Sequence, residues 1–165
     1  MQIAEFISPE RIVRESKIAS KKRALEVVSG LIAAAQPNLL ETEIFDCFLT
    51  RERLGSTGIG HGVAIPHGRL KSVTHPIGAF VALDKGVDFD AVDGAPVDLI
   101  CALVVPIEST EEHLQILASL AALFGDGNIR ENMRRAASAE ELYTLLTGEE
   151  AALHRQTAAP TRRLS

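Results

Sequence analysis

The chain has no tryptophan, one tyrosine and an aromatic fraction of only 4%. Single-stranded nucleic acids are held on stacked aromatic rings, and almost nothing here could build such a platform. Long apolar runs are also missing. The longest, Leu99 to Val105, falls far short of the roughly 18 residues of a membrane span, so no membrane insertion is expected. The first residues, Met1-Gln2-Ile3-Ala4-Glu5, lack both a basic region and an apolar h-region, so no secretory signal is expected. Cysteine is scarce. Cys47 and Cys101 both lie in apolar segments and read as a buried pair of reduced thiols, which suits a cytoplasmic protein.

What remains is a globular composition: 165 residues, 46% hydrophobic and 24% charged, enough for one domain with a core of its own. The net charge is −5, unevenly spread. Residues 10–23 are strongly basic on an otherwise acidic chain. Such a segment can meet an acidic partner or a phosphate backbone, or it can be a solvated helix start.

Apolar spacing predicts a helix over 21–35, capped by Ser20, with Ala24, Val27, Val28, Leu31, Ile32 and Ala35 on one face. A second helix fits about 40–54 and ends at Gly55. Residues 55–62 read as a loop, and Val63-Ala64-Ile65 as a short strand stopped by Pro66. Ile77–Leu83 and Val97–Val105 are apolar on both faces, the mark of interior strands covered by helices on each side. Ser109-Thr110-Glu111-Glu112 and Ser138-Ala139-Glu140-Glu141 are capping-box patterns, opening helices to about Phe124 and Leu146. A shorter basic helix lies between them over 128–137. The expected fold is α/β: a single domain over 1–148, a mixed β-sheet flanked by helices on both faces, and a flexible tail over 149–165.

The glycine-rich run Thr57-Gly58-Ile59-Gly60 does not fit a dinucleotide site. It follows a helix and precedes a strand, the reverse of that motif's order. No Gly-Lys-Ser/Thr P-loop ending and no His-Glu-x-x-His is present, and His61, His67 and His75 are too widely spaced for common zinc pairs. His67 is more informative. In Ile65-Pro66-His67-Gly68 a rigid proline and a small glycine flank an imidazole at a strand end. A nucleophilic imidazole needs that: a fixed tautomer, one bare nitrogen and open approach. A packed or capping histidine fits the local sequence equally well. His113, in the first turn of the helix after the longest strand, is a second imidazole close to a helix N-terminus.

The run Leu49-Thr50-Arg51-Glu52-Arg53-Leu54-Gly55-Ser56-Thr57-Gly58-Ile59-Gly60-His61-Gly62-Val63-Ala64-Ile65-Pro66-His67-Gly68 resembles the signature of the mannitol/fructose-type IIA domains of the bacterial phosphoenolpyruvate phosphotransferase system. Within that family it is most similar to the nitrogen-regulatory type. The likeness extends from about Ser8 to Thr147. It implies a mixed sheet flanked by helices, with His67 as the phosphoryl acceptor on Nε2. It implies that Arg51 and His113 hold the phosphoryl group, and that Ser56, Thr57, Gly58, Gly60, Pro66 and Gly68 form the supporting loop. No metal or cofactor is implied, because the donor is already an activated phosphohistidine. The implied partners are an HPr-like phosphocarrier of the nitrogen branch and regulatory targets such as potassium transport components or sensor kinases. Three other readings compete with a nitrogen-branch carrier: a sugar-specific IIA component passing phosphate to a IIB domain, a metal-dependent hydrolase using His67, His113 and an acid, and a binding module whose histidine is silent.

Overall fold

The computed structural model describes residues 2–158. Two turns of 3-10 helix, Ile3–Glu5 and Pro9–Arg11, lead into β1 (Ile12–Glu15). Helices α1 (Lys21–Ala35) and α2 (Glu41–Arg53) follow, then short strands β2 (Gly58–Gly60), β3 (Val63–Ala64) and β4 (His67–Leu70). The long strands β5 (Ile77–Val87) and β6 (Val97–Pro106) come next. Helices α3 (Thr110–Phe124), α4 (Gly127–Arg135) and α5 (Ala139–Ala158) end the described chain.

The sheet is mixed, in the order β1-β5-β6-β3-β2, with β4 also paired to β6. β5 and β6 are antiparallel and central, while β1 lies parallel to β5. β3 and β4 both run parallel to β6, β3 beside Leu99 and Ile100 and β4 beside Leu103 to Pro106. They are two pieces of one line, interrupted at Ile65-Pro66.

Side chains alternate across a strand, so β5 and β6 feed two cores. Ala79, Val81, Ile100, Ala102 and Val104 pack with Ala24, Leu25, Val28, Ile32, Ile44 and Phe48 of α1 and α2. Phe80, Ala82, Leu99, Cys101, Leu103 and Val105 pack with Ile116, Leu120, Phe124, Met133, Leu142 and Leu146 of α3, α4 and α5. The two interior strands and the helices on both faces are as expected from their apolar runs.

Several local expectations are corrected. α1 has the expected bounds, and Ser20 Oγ accepts from the Arg23 amide at 3.1 Å. Its buried face, however, is rotated to include Leu25 and Ser29, and Ala35 is exposed. Ser109 makes no side-chain cap, so the first capping box does not form. At the second, Ser138 Oγ accepts from the Glu141 amide, but Glu141 takes the amide of Ala137 rather than that of Ser138. Part of the expected 55–62 loop is β2, paired with β3. α5 passes Gly148 and continues to Ala158, since residues 149–158 are rich in Ala, Glu, Leu, Arg and Gln, all good helix formers. Residues 159–165 of the expected tail lie outside the described residues.

The basic segment 10–23 is not a single solvated helix start. It contains β1, and three of its cations turn inward. Arg11 donates to the carbonyls of Gly78 and Phe6 at 2.8 and 3.2 Å. Arg14 donates to those of Ala136 and Met133 at 3.0 and 2.7 Å. Lys21 pairs with Glu52 at 2.9 Å. The thiols differ too: Cys101 is fully buried, and desolvation pushes its pKa up to about 12, whereas Cys47 is only half-buried.

Candidate functional site

His67 opens β4 rather than ending the strand before it. The break at Pro66 leaves the Ile65 carbonyl free to meet the imidazole, and His67 Nδ1 lies 2.7 Å from that oxygen. Only a protonated Nδ1 can donate there, so Nε2 carries the bare lone pair. Arg51, in the last turn of α2, donates from Nε to this Nε2 at 3.3 Å and from Nη1 to the Gly55 carbonyl at 2.8 Å. The second bond fixes the arginine to the turn that ends its own helix.

His113 faces His67 from α3. The two rings stand 5.3 Å apart between centroids, tilted at 71° in a T-shaped pair. His113 Nε2 is buried and, among the described residues, has no hydrogen-bond partner. A buried polar atom without a partner is costly, and such atoms mark places where a ligand completes the bonding. Burial holds the pKa of both rings down. For His67 the nearby Arg51 lowers it further, against the Ile65 hydrogen bond and Glu52, which raise it. For His113 burial, the facing His67 and Arg69 bring it down to about 4. Two neutral imidazoles and an arginine therefore converge on one point, suited to an anion with several oxygens.

The loop residues sit behind this trio. Thr57 donates from both its amide and its hydroxyl to the carboxylate of Glu52, which is buried and paired with Lys21. Ser56 Oγ donates to the Phe89 carbonyl at 2.6 Å and accepts from the Gly58 amide at 3.0 Å. A Cβ on Gly58 would stand 2.8 Å from that of Ala91. The chain itself thus packs closely against this glycine. A Cβ on Gly68 would collide with Cys47 Sγ of α2, so its smallness serves helix packing. Gly60 has φ +105°, which favours glycine. Pro66 is buried, and its carbonyl accepts from the Leu103 amide at 2.9 Å, tying the broken edge to β6.

Three contributors escaped the sequence reading. Glu52 and Lys21 pair across 31 positions, which no local pattern betrays. Arg69 had a usable signal: in an extended segment, position i+2 from His67 shares its side. A groove of about 540 Å³ runs beside the site, lined by Cys47, Thr50, Arg51, Leu54, Gly68 and Arg69 among others. Among the described residues no group of three or more His, Cys, Asp or Glu side chains could hold a metal ion, which leaves the hydrolase reading without a ligand set there.

With this geometry in view, the likenesses to known proteins are specific. Residues 5–148 match the family described as phosphoenolpyruvate-dependent sugar phosphotransferase system, EIIA 2. The chain belongs to that family. It is 43% identical over 146 residues to a nitrogen regulatory protein of Pseudomonas aeruginosa, covering 88% of this chain and 95% of that one. It matches the crystal structure of nitrogen regulatory protein IIA-Ntr from Neisseria meningitidis with a TM-score of 0.83 and 43% identity, covering 88% of this chain and 99% of that chain. The mannitol IIA protein of Escherichia coli shares the fold, with a TM-score of 0.71, 22% identity, and coverage of 85% and 98%. The EIIA 2 domain is thus a mixed sheet between two helical layers. Among the described residues, none of its helices is long and apolar enough to cross a membrane.

Proposed function

We propose that this EIIA 2 protein is a phosphoryl carrier of the nitrogen-related phosphotransferase branch. It accepts a phosphoryl group on Nε2 of His67 from an HPr-like phosphocarrier and regulates target proteins through its phosphorylation state. The observation that carries this reading is the pairing of a bare His67 Nε2, set by the Ile65 carbonyl, with the unpartnered Nε2 of His113 across from it. The 43% identity to proteins named for nitrogen regulation favours this branch over a sugar-specific IIA component. Potassium transport components and sensor kinases are the targets this reading suggests.

In the transfer, the lone pair on His67 Nε2 attacks the phosphorus held by the donor's phosphohistidine. A new N–P bond forms, and the donor's N–P bond breaks with its electron pair returning to the donor imidazole. The proton on His67 Nδ1 stays against the Ile65 carbonyl throughout. Arg51 releases Nε2, and its guanidinium turns to the equatorial oxygens, where charge is spread. His113, as the tautomer protonated on Nε2, donates to the same group. Leu54 just past the end of α2, Ile107 in the turn before α3 and Leu114 in α3 are exposed at 82, 49 and 63%. They give a protein donor an apolar surface to dock on.

The test is incubation with phosphoenolpyruvate, enzyme I and the HPr-like carrier, followed by intact mass measurement without acid. The expected result is one added phosphoryl group on the wild type and none on His67→Ala. No added group, with the donor shown competent on another IIA protein, would remove the carrier reading and favour a binding module.

A further inference from the structure

Arg69 has no role in the reading above. In β4 it lies two residues after His67, on the same side of the strand. Its Nη1 donates to Oγ1 of Thr110 at 3.0 Å and to the Ile107 carbonyl at 3.4 Å. Thr110 is the first residue of α3, and His113 follows one turn later. Ser109 gives this helix start no side-chain cap, whereas Arg69 does reach it. One guanidinium therefore links the strand that carries His67 to the helix that carries His113. Its charge also acts on the His113 ring, and together with His67 and burial it keeps that ring neutral. Both side chains that act on His113, His67 and Arg69, come from β4.

We propose that Arg69 is a positioning residue for phosphoryl transfer, holding the start of α3 against β4 so that the His113 ring stands across from Nε2 of His67. This rests on the reading of His67 as the acceptor. Misplacing a group that binds the transferring phosphoryl by an ångström lowers the rate steeply, because the transition state gains from alignment. The role differs from docking. A cation that only attracts the donor changes the donor concentration needed and leaves the maximal rate and the contact between the two rings as they were.

The test compares wild type with Arg69→Ala, Arg69→Lys and Thr110→Val in the full chain, with a phosphorylated HPr-like carrier as donor. Arg69→Ala is expected to lower the maximal single-turnover rate about tenfold, with less than about a twofold change in the half-saturating donor concentration. Arg69→Lys recovers most of the rate. Thr110→Val, which keeps the charge and removes the anchor, falls between. Imidazole proton spectra of the unphosphorylated proteins are expected to show the His113 midpoint rising in Arg69→Ala, as the last of the three influences that lower it is lost. The contact between the two rings weakens while the other amide signals persist. A wild-type maximal rate in Arg69→Ala, or a loss confined to donor concentration with the contact between the two rings unchanged, overturns the proposal. If the wild type itself takes up no phosphoryl group, the acceptor reading has failed. The ring spectra then decide alone whether Arg69 places His113.

Discussion

A histidine in water shares one proton between two ring nitrogens and gains a second near pH 6.5. At residue scale the fold removes both freedoms from His67. The Ile65 carbonyl takes the Nδ1 proton, and burial with Arg51 nearby disfavours a second one. His113 is held neutral more strongly, down to about 4. The unfolded chain therefore takes up protons near pH 6.5, while the fold refuses them until lower pH. Across that window the unfolded state binds more protons, so stability rises with pH and is lost as pH falls from about 6.5 toward about 4. Two measurements follow. The urea midpoint is expected to drop between about pH 7 and about pH 5, and replacing His113 with Asn flattens that drop. The acid limb of the phosphorylation rate is expected to have its midpoint below the free-imidazole value of about 6.5. A midpoint at or above it would mean that burial does not govern the His67 ring.

At the scale of elements, helix starts that look alike in sequence behave differently. Ser20 caps α1 through its hydroxyl, whereas Ser109 leaves α3 without a side-chain cap. Ser20→Ala is expected to cost about 1 kcal/mol in denaturant unfolding. Ser109→Ala is expected to stay within about 0.5 kcal/mol of wild type, because the half-buried Ser109 side chain caps nothing. Equal losses would show that the α3 cap forms in solution. The contrast also explains what the sequence could reveal. β5 and β6 were legible because they are apolar on both faces over many residues, and α1 because its cap and period agree. β1 was not, since four residues carry too little pattern and its partner lies 68 positions away. β2 was hidden because glycines pair with β3 where composition says loop. Of the site, His67 stood out through its proline and glycine neighbours. The convergence of Arg51 and His113 upon it came from a family resemblance, because no local pattern brings residues 51, 67 and 113 together. Arg69 needed the knowledge that His67 begins a strand rather than ends one.

At the scale of the whole molecule, the question is how one phosphoryl group could be read by another protein. The fold is a sheet with filled cores on both faces, and such packing does not deform continuously. The His67 site lies between helices from opposite faces, with α2 bringing Arg51 and α3 bringing His113. A group that occupies the space between them completes existing contacts and requires no repacking. Phosphorylation would then act as a local change of about −1.5 to −2 charges. Leu54 just past α2, Ile107 in the turn before α3 and Leu114 in α3 are exposed. A partner that covers such an apolar surface must either desolvate the new charge or offer it a cation, so its affinity changes sharply without any change of fold. Authentic phosphoprotein and unmodified protein are expected to differ about tenfold or more in affinity for a regulatory target, with superimposable far-ultraviolet circular dichroism. His67→Asp reproduces part of the difference and His67→Ala none of it. Raising the salt concentration shrinks the part that rests on exposed charge. Equal affinities for all four forms across every target would remove the switch, and a phosphorylation-dependent change in the circular dichroism would replace it with a conformational one.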